Sequence, residues 1–477
     1  MLGYSNEHAI IGIVNKLPTH SHPSIPIIPY LPCIIKTSMP ELLQEKQKIG
    51  LWTSTSLVVG NMIASAIFLM PAILAKYGSI SLVGWVLSSI AGIVLAKVFA
   101  KLSRLMPQAD GGPYAYPQAG FGDFVGFLMA WGYWISVWVS NAAIAVLLVG
   151  TLGTFFPALS TPVAAILTGL SIVWLLTWIN TLGIKTSGQV QLVTTILKLV
   201  PLVLVGIGGL FFIHPQNFLP FNTTHQSNFA AIAATGTITF FSFLGVECAT
   251  IPAGNVENPE KTIPRATMLG TLITTAVYIL VSFTVMGMIP AAKLVASNAP
   301  VADAAFIIGG KAAQYLVSAG VIIASFGGLN GWILVQGQIP SAIAKDKLFP
   351  PIFKKENKHG TPAMSIVISS IFVSVLMLMN YTKGLADEYQ LLILLSTLTS
   401  VVPYLFCAGA LVVISAKKVK MTRSKWIQTI LLASVSFAFS LWAIAGAGQD
   451  TVYWGFLLLM AGVPFYVWVI LKKKEEG

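Results

Sequence analysis

Apolar runs of about 20 residues, the length an α-helix needs to cross a hydrocarbon core, recur from residue 51 almost to the end of this chain, with short polar joints between them. The pattern predicts twelve spans, at 51–77, 80–106, 121–155, 160–180, 188–213, 227–254, 263–289, 312–340, 361–380, 387–415, 424–446 and 451–471. Proline and glycine mark the joints, as in Pro107…Gly111-Gly112-Pro113, Asn258-Pro259 and Gly360-Thr361-Pro362. Strands of a membrane β-barrel would be half as long and would alternate. The expected fold is therefore an all-α membrane protein.

Two spans are polar where leucine, isoleucine and valine are expected. The first reads Val59-Gly60-Asn61-Met62-Ile63-Ala64-Ser65-Ala66-Ile67-Phe68 at its centre. Such a stretch is either a packing seam of small residues or a break whose freed backbone lines a cavity. The sixth span, five further on, reads Phe240-Phe241-Ser242-Phe243-Leu244-Gly245-Val246-Glu247-Cys248-Ala249. Carriers built from two inverted five-helix repeats have interrupted helices at such corresponding positions, facing a substrate near the midplane. Half-helix N-termini offer N–H groups and a positive dipole end to a carboxylate, and unwound carbonyls accept from an ammonium. That chemistry suits a small zwitterion.

Of 477 residues, 56% are hydrophobic and 9% charged, against roughly a quarter charged in soluble domains. The net charge of +12 does not indicate nucleic acid, because the basic residues form no single patch. All but five of the 28 fall in the tail, in alternate loops and at the C-terminus, so the positive-inside rule places both termini in the cytoplasm. Lys417, Lys418, Lys420 and Lys358 are topology signals on this reading, with anionic lipid as an alternative contact. Lys76, Lys293, Lys311 and Lys383 lie on the opposite side, and Lys198 lies inside the fifth span. Of the 16 acidic residues only Glu247 falls within an apolar segment. A charge at that depth needs a partner, a wet cavity or a neutral form, so both residues are functional candidates.

Cys33, Cys248 and Cys407 are far apart, with no metal-ligand or disulfide spacing, and neither metal nor cofactor is expected. No His-Glu-x-x-His, Gly-x-Ser-x-Gly or phosphate loop occurs, so no enzyme is indicated. A channel would leave the paired breaks and the two buried charges without a use. Trp134, Trp138, Phe241 and Trp332 lie in mid-span, as core or as faces for a cation. Residues 1–46 are expected to be a disordered cytoplasmic extension, with synthesis from Met39 as the alternative. The apolar stretch Ala9–Val14 is too short for a signal peptide.

The stretches Gly60–Pro71, Gly111-Gly112-Pro113-Tyr114-Ala115-Tyr116, Phe121-Gly122, Tyr133-Trp134, Phe241–Glu247, Gly328–Trp332, Leu348–Pro351 and Val402–Leu405 resemble, in order and spacing, the basic amino acid/polyamine antiporters of the amino acid–polyamine–organocation superfamily. The nearest pattern is the arginine/agmatine branch, from about Lys48 to the last span. The resemblance implies an inverted five-plus-five repeat, as in sodium symporters, with helices 1 and 6 discontinuous. It divides the chain into repeats at 47–213 and 214–415, followed by helices 11 and 12 and a basic tail at 416–477. It further implies that Asn61, Ile63, Ser65 and Ala66 hold the substrate's carboxylate and α-amino group. Asn141, Trp332 and Ser396 would line the pocket, Phe241 would occlude it, Glu247 would serve pH dependence or gating, and Tyr133 and Tyr404 would be gating or pocket tyrosines.

Three positions depart from that branch. Its Gly-Ser-Gly is Ala64-Ser65-Ala66 here, which puts methyl groups beside the peptide groups expected to meet a carboxylate. Its occluding tryptophan is Phe241, which keeps a π face without an indole. Lys198 replaces an apolar residue, whereas other permeases of the superfamily carry a fifth-helix lysine where sodium-coupled relatives hold sodium, bracing the first helix against the eighth. That lysine acts either as a fixed charge or as a proton site. The expectation is thus an amino acid antiporter of the bacterial inner membrane working by alternating access, with the decarboxylated amine as a candidate second substrate. The alternative is a proton-coupled or facilitative permease using Lys198. Membrane lipids and a homodimer through the last two spans complete the expected partners, with no nucleic acid.

Overall fold

A computed structural model describes residues 47–475 apart from Ser65 and residues 384–385, with the backbone alone at 154, 160, 380–383, 386–397 and 473–475. The expectations for residues 1–46 lie outside the described residues. The helices are α1 Leu51–Met62, α2 Ala66–Ala75, α3 Ser81–Leu105, α4 Ala115–Phe121, α5 Asp123–Phe155, α6 Pro162–Thr181, α7 Ile184–Gly208 and α8 Asn228–Phe240. They continue with α9 Pro259–Met288, α10 Ala291–Val295, α11 Pro300–Lys345, α12 Ala363–Lys383, α13 Ala386–Lys418, α14 Arg423–Gly446, α15 Gln449–Met460 and α16 Gly462–Glu475. Eleven helical stretches are long and apolar enough to cross a membrane, and Ala363–Met379 is a shorter apolar one. Each of the twelve expected spans therefore has its helix, and the protein is an all-α, multi-pass membrane protein.

Two spans differ in detail from the pattern. Helix α11 is 46 residues long but is non-helical at Gly309 and Gly310, so the expected span from 312 begins just past this kink. The last span is two helices, α15 and α16, which meet at Ala461. Gly462 and Pro464 follow directly at this junction.

Helices in lipid gain little from hydrophobicity against one another and associate through close packing. Small residues make this contact here. The place of a Cβ on Gly84 of α3 is filled by Thr235 and by the backbone nitrogen of Gly236 on α8, and that of Gly270 on α9 by Val58 of α1. On α11, Gly320 meets the ring of Pro201 and Gly327 meets Thr194, both residues of α7. These seams bring backbones close enough for side chains to reach across to main-chain groups.

The end of the bundle at which α1 begins is tied by polar contacts. Ile49 N–H donates to Asn255 O at 2.8 Å, and Glu257 N–H donates back to Ile49 O at 3.0 Å, joining the entry to α1 with the segment after the sixth-span break. Asp110 accepts from Gly254 N–H at 2.7 Å and pairs with Lys345 at 3.8 Å, and Lys345 also pairs with Glu356 at 3.0 Å. The Tyr114 hydroxyl donates to Asp346 Oδ2 at 2.6 Å. Burial, and that carboxylate beside it, push its phenol well above the usual range.

Because a backbone nitrogen cannot move aside, Gly84→Val is expected to cost about 1–3 kcal/mol through overpacking, read as a lower melting temperature in detergent. Gly150→Ala, whose methyl would meet open space, is expected to leave the melt unchanged or raise it; equal shifts for the two would refute the α3–α8 seam.

Candidate functional site

Helix α1 stays helical through Gly60, Asn61 and Met62, and leaves the helical region at Ile63, with φ −83° and ψ 75°. Helix α2 starts at Ala66, and Ser65 lies outside the described residues. The stretch contains both a packing seam and a helix break, at different residues. Gly60 is a packing glycine, because the Gln191 amide occupies the space its Cβ would need. The break itself comes after Met62.

A break strands carbonyls, and an unsatisfied one in a water-free interior costs several kcal/mol. Here each carbonyl from 59 to 63 has a donor. Val59 O accepts from Ile63 N–H at 2.8 Å. Lys198 Nζ donates to Gly60 O at 2.7 Å and to Ile63 O at 2.6 Å. Trp332 Nε1 donates to Asn61 O at 3.3 Å. The Tyr278 hydroxyl donates to Met62 O at 2.6 Å and lies 3.0 Å from Ser242 O, which belongs to the other interrupted span. Lys198, on α7, is fully buried, and the two carbonyls substitute for the water its ammonium has lost.

In the sixth span α8 ends at Phe240, a single tight turn covers Phe241–Phe243, Leu244 is extended and Gly245 has φ +106°. That backbone conformation favours glycine. The bare Cα lies against the first break: a Cβ there would be 3.2 Å from both Asn61 Cβ and Met62 N. The carboxylate of Glu247, also fully buried, accepts from the hydroxyls of Tyr133 and Tyr404 and from Gly245 N–H at 3.2 Å. Among the described residues its partners are these three donors, from α5, α13 and its own loop, and no cation.

The two breaks are also linked through side-chain amides. Asn61 Nδ2 donates to Cys248 Sγ at 3.0 Å, and its Oδ1 accepts from Gln191 Nε2 at 3.3 Å. Gln191 Oε1 accepts from Asn330 at 3.1 Å, Asn330 Oδ1 from Asn180 at 3.1 Å, and Asn180 Oδ1 from Ser187 at 2.6 Å. One turn of α11 beyond Trp332, Gln336 accepts from Asn141 Nδ2 at 2.7 Å and donates to Ser370 at 2.9 Å. The Oδ1 atom of Asn141 and the Nε1 atom of Trp138, three residues apart on α5, are buried without a partner among the described residues.

The structure thus brings together Lys198 with Ile63, Trp332 with Asn61, and Glu247 with Tyr133 and Tyr404. Asn61 and Ile63 are buried, Phe241 and Trp332 half-buried, and Ala66 exposed. Ser396 lies on α13, with its side chain outside the described residues. The methyl of Ala64 faces Gly328 of α11, which leaves room for it. A cavity of about 220 Å³ between α2, α5 and α11, lined by Phe68, Leu147, Thr151, Asn298 and Val321, contains none of the expected site residues. Tyr278, Gln191, Asn330 and Gln336 were not expected. The three amides carry the signal that marked Asn61, polarity inside an apolar span, but Tyr278 reads as any other aromatic.

Comparison with known proteins bears on the family of the chain. The family described as amino acid permease matches residues 49–470. A cadaverine/lysine antiporter of Escherichia coli is 32% identical over 433 residues, covering 89% of this chain and 95% of that protein. An arginine/ornithine antiporter of Pseudomonas aeruginosa is 31% identical, covering 91% and 92%. A putrescine transporter of Haemophilus influenzae is 28% identical, covering 90% and 98%. These relatives are transporters rather than enzymes.

Tyr404→Phe and Tyr133→Phe each remove one donor from a buried carboxylate. Each is expected to cost about 1–2 kcal/mol in a thermal melt, with Tyr315→Phe, exposed on the surface at 61%, as the neutral comparison. Melts indistinguishable from that control would refute the clasp on Glu247.

Proposed function

The chain belongs to the amino acid permease family, and from that premise we propose that it is an amino acid antiporter of a bacterial inner membrane, exchanging substrates by alternating access. The observation that carries the reading is the contact of two interrupted helices at Gly245 and Asn61, deep among apolar spans. The names of the cadaverine/lysine and arginine/ornithine relatives support an amino acid as one substrate.

On this reading Ser65 and Ala66 hold the substrate's carboxylate, with the start of α2 at Ala66 offering helix N–H groups that lack intrahelical partners. Asn61 and Ile63 shape the opposite lip of the break. Phe241 and Trp332, both half-buried, flank the side chain, and Asn141 and Ser396 complete the pocket. The unpartnered Oδ1 of Asn141 supports a ligand contact there. Glu247, clasped by Tyr133 and Tyr404, joins the sixth-span break to α5 and α13, so that its protonation alters how these elements hold together. The chain divides into repeats at 47–213 and 214–415 and a final pair of spans at 416–477, with both termini cytoplasmic and the last spans forming a homodimer face in the lipid.

Lys198 favours a second reading. Its ammonium bridges Gly60 O and Ile63 O, where a coupling cation would be held by the same carbonyls. Release of its proton and withdrawal of its side chain would loosen the break, which is the coupling step of a proton-driven permease.

Proteoliposome uptake of labelled amino acids separates the two. Exchange predicts uptake accelerated severalfold by internal amino acid and indifferent to an imposed proton gradient; uptake that ignores internal substrate and follows the gradient refutes the antiporter. Lys198→Ala strips two carbonyls of their donor and is expected to lower apparent affinity about tenfold or more, and unchanged affinity and pH dependence would remove it from coupling. Glu247→Gln is expected to alter the pH profile of transport, and a profile identical to that of the wild type would sink its role.

A further inference from the structure

Helices α3 and α14 leave a furrow between them. Toward one end Lys101 Nζ of α3 donates to Thr429 Oγ1 of α14 at 3.3 Å. Toward the other, Leu87 of α3 and Val435, Ala438, Phe439 and Trp442 of α14 line an apolar crevice of about 280 Å³, and Leu87 and Trp442 both lie over Gly236 of α8. The two helices therefore run antiparallel, and the 3–4 spacing of a helix face marks the rest of each stripe. On α3 it runs Leu87, Ile90, Val94 and then Lys97, Lys101, Arg104; on α14 it runs from Lys425 past Thr429 to Val435 and Trp442. Each stripe is apolar along the crevice and turns basic at the same end.

The corner between α13 and α14 adds Lys417, Lys418, Lys420 and Arg423 to that end, and Lys418 Nζ reaches across to Leu105 O at 3.1 Å. Neither 81–106 nor 416–447 contains an aspartate or glutamate, and among the described residues the salt bridges all belong to Lys345. The positive-inside rule explains why these residues share one side of the membrane, but not why they gather at the mouth of one furrow. Lys101 is half-buried, while Lys97, Arg104, Lys418 and Lys425 are exposed. Their apolar stems lie along the helices and their charges stand at the interface.

Depth links the two halves of the furrow. Val435 and Trp442 lie six and thirteen residues beyond Thr429, roughly 9–20 Å along the helix, and one leaflet's share of the hydrocarbon core is about 15 Å. A molecule with its anion at the basic end thus has its chains at the level of the crevice. A soluble anion would leave the crevice unfilled, and a neutral lipid would leave the charges without a counterion.

We infer that the furrow between α3 and α14 binds an anionic phospholipid, its phosphate held by Lys97, Lys101, Arg104 and Lys425 and an acyl chain lying against Phe439 and Trp442. With both termini cytoplasmic, this lipid belongs to the inner leaflet, where basic pockets between spans take acidic headgroups. It joins α14 to α3 along most of their length. The inference stands whatever the substrate is.

The test uses the full chain, purified in mild detergent and washed free of lipid. Dioleoyl phosphatidylglycerol is expected to raise its melting temperature and to be retained in native mass spectra, and dioleoyl phosphatidylcholine to do neither. The triple variant Lys101→Gln/Arg104→Gln/Lys425→Gln is expected to bind phosphatidylglycerol about tenfold or more weakly. Lys354→Gln/Lys355→Gln/Lys358→Gln, which removes the same charge from another loop, is expected to bind it as the wild type does. Ala438→Phe fills the crevice at unchanged charge and is expected to weaken binding severalfold; full binding by that variant removes the crevice from the site and overturns the inference. Equal responses of the wild type to the two lipids overturn it whether or not any variant folds. So do equal losses in the two triple variants, which mean diffuse attraction to net charge, and equal protection by glycerol 3-phosphate, which means an anion site without a chain.

Discussion

A helix interrupted among apolar spans exposes carbonyls where no water can serve them, and the arrangement around residues 59–63 answers that constraint. The donors come from three different helices: Lys198 from α7, Tyr278 from α9 and Trp332 from α11. Lysine suits its position because a compact ammonium on a flexible stem can reach two carbonyls three residues apart. The exchange is mutual. The carbonyls lose their orphan status and the ammonium regains part of its solvation, so a charge and a break that would each be costly alone are stable together.

The two intramembrane charges are not neutralised by each other. Lys198 is held by carbonyls, and Glu247 by two phenols and a backbone N–H. They nevertheless bear on the same residue from opposite sides. Lys198 binds the carbonyl next to Asn61, and the Asn61 amide binds the thiol next to Glu247. A change in either charge therefore reaches Asn61 without an ion pair having to break. Two sites that share one element and are separately satisfied can bias its position independently, which is the physical requirement for coupling two binding events.

Much of this was legible in the sequence, and what was not has a physical reason. Span length and hydropathy mark the twelve helices, because the bilayer imposes a length that few other environments impose. Lys198, Glu247 and the two glycine-bearing stretches stand out because polarity at that depth is expensive. The partners do not stand out. Tyr278 pays nothing to sit in an apolar span, since its ring is hydrophobic and only its hydroxyl needs an acceptor, so no pattern separates it from a core aromatic. Gln191 and Asn330 do carry the polar signal, but the chain Asn61–Gln191–Asn330–Asn180 is a fact of packing across four helices, and sequence spacing within one helix cannot express it. Gly60 was ambiguous for a similar reason: a seam and a break ask for the same small residue, and only the ψ of Ile63 places the break three residues later.

The alanines of the first break bear on the same point. Ala64 and Ala66 replace residues that are glycine in the pattern the chain resembles, and a methyl group at such a place should crowd the backbone. The crowding is relieved from the other side. A Cβ on Gly328 would be 3.2 Å from the methyl of Ala64, and the space beside Gly331 is filled by the amides of Asn61 and Gln191. Helix α11 thus presents Gly328 and Gly331 to the break beside Trp332, and the volume added at Ala64 is left open on its neighbour. Substitution at Gly328 or Gly331 would then act on the break itself, because the missing side chain of Gly331 gives the Asn61 and Gln191 amides room to meet.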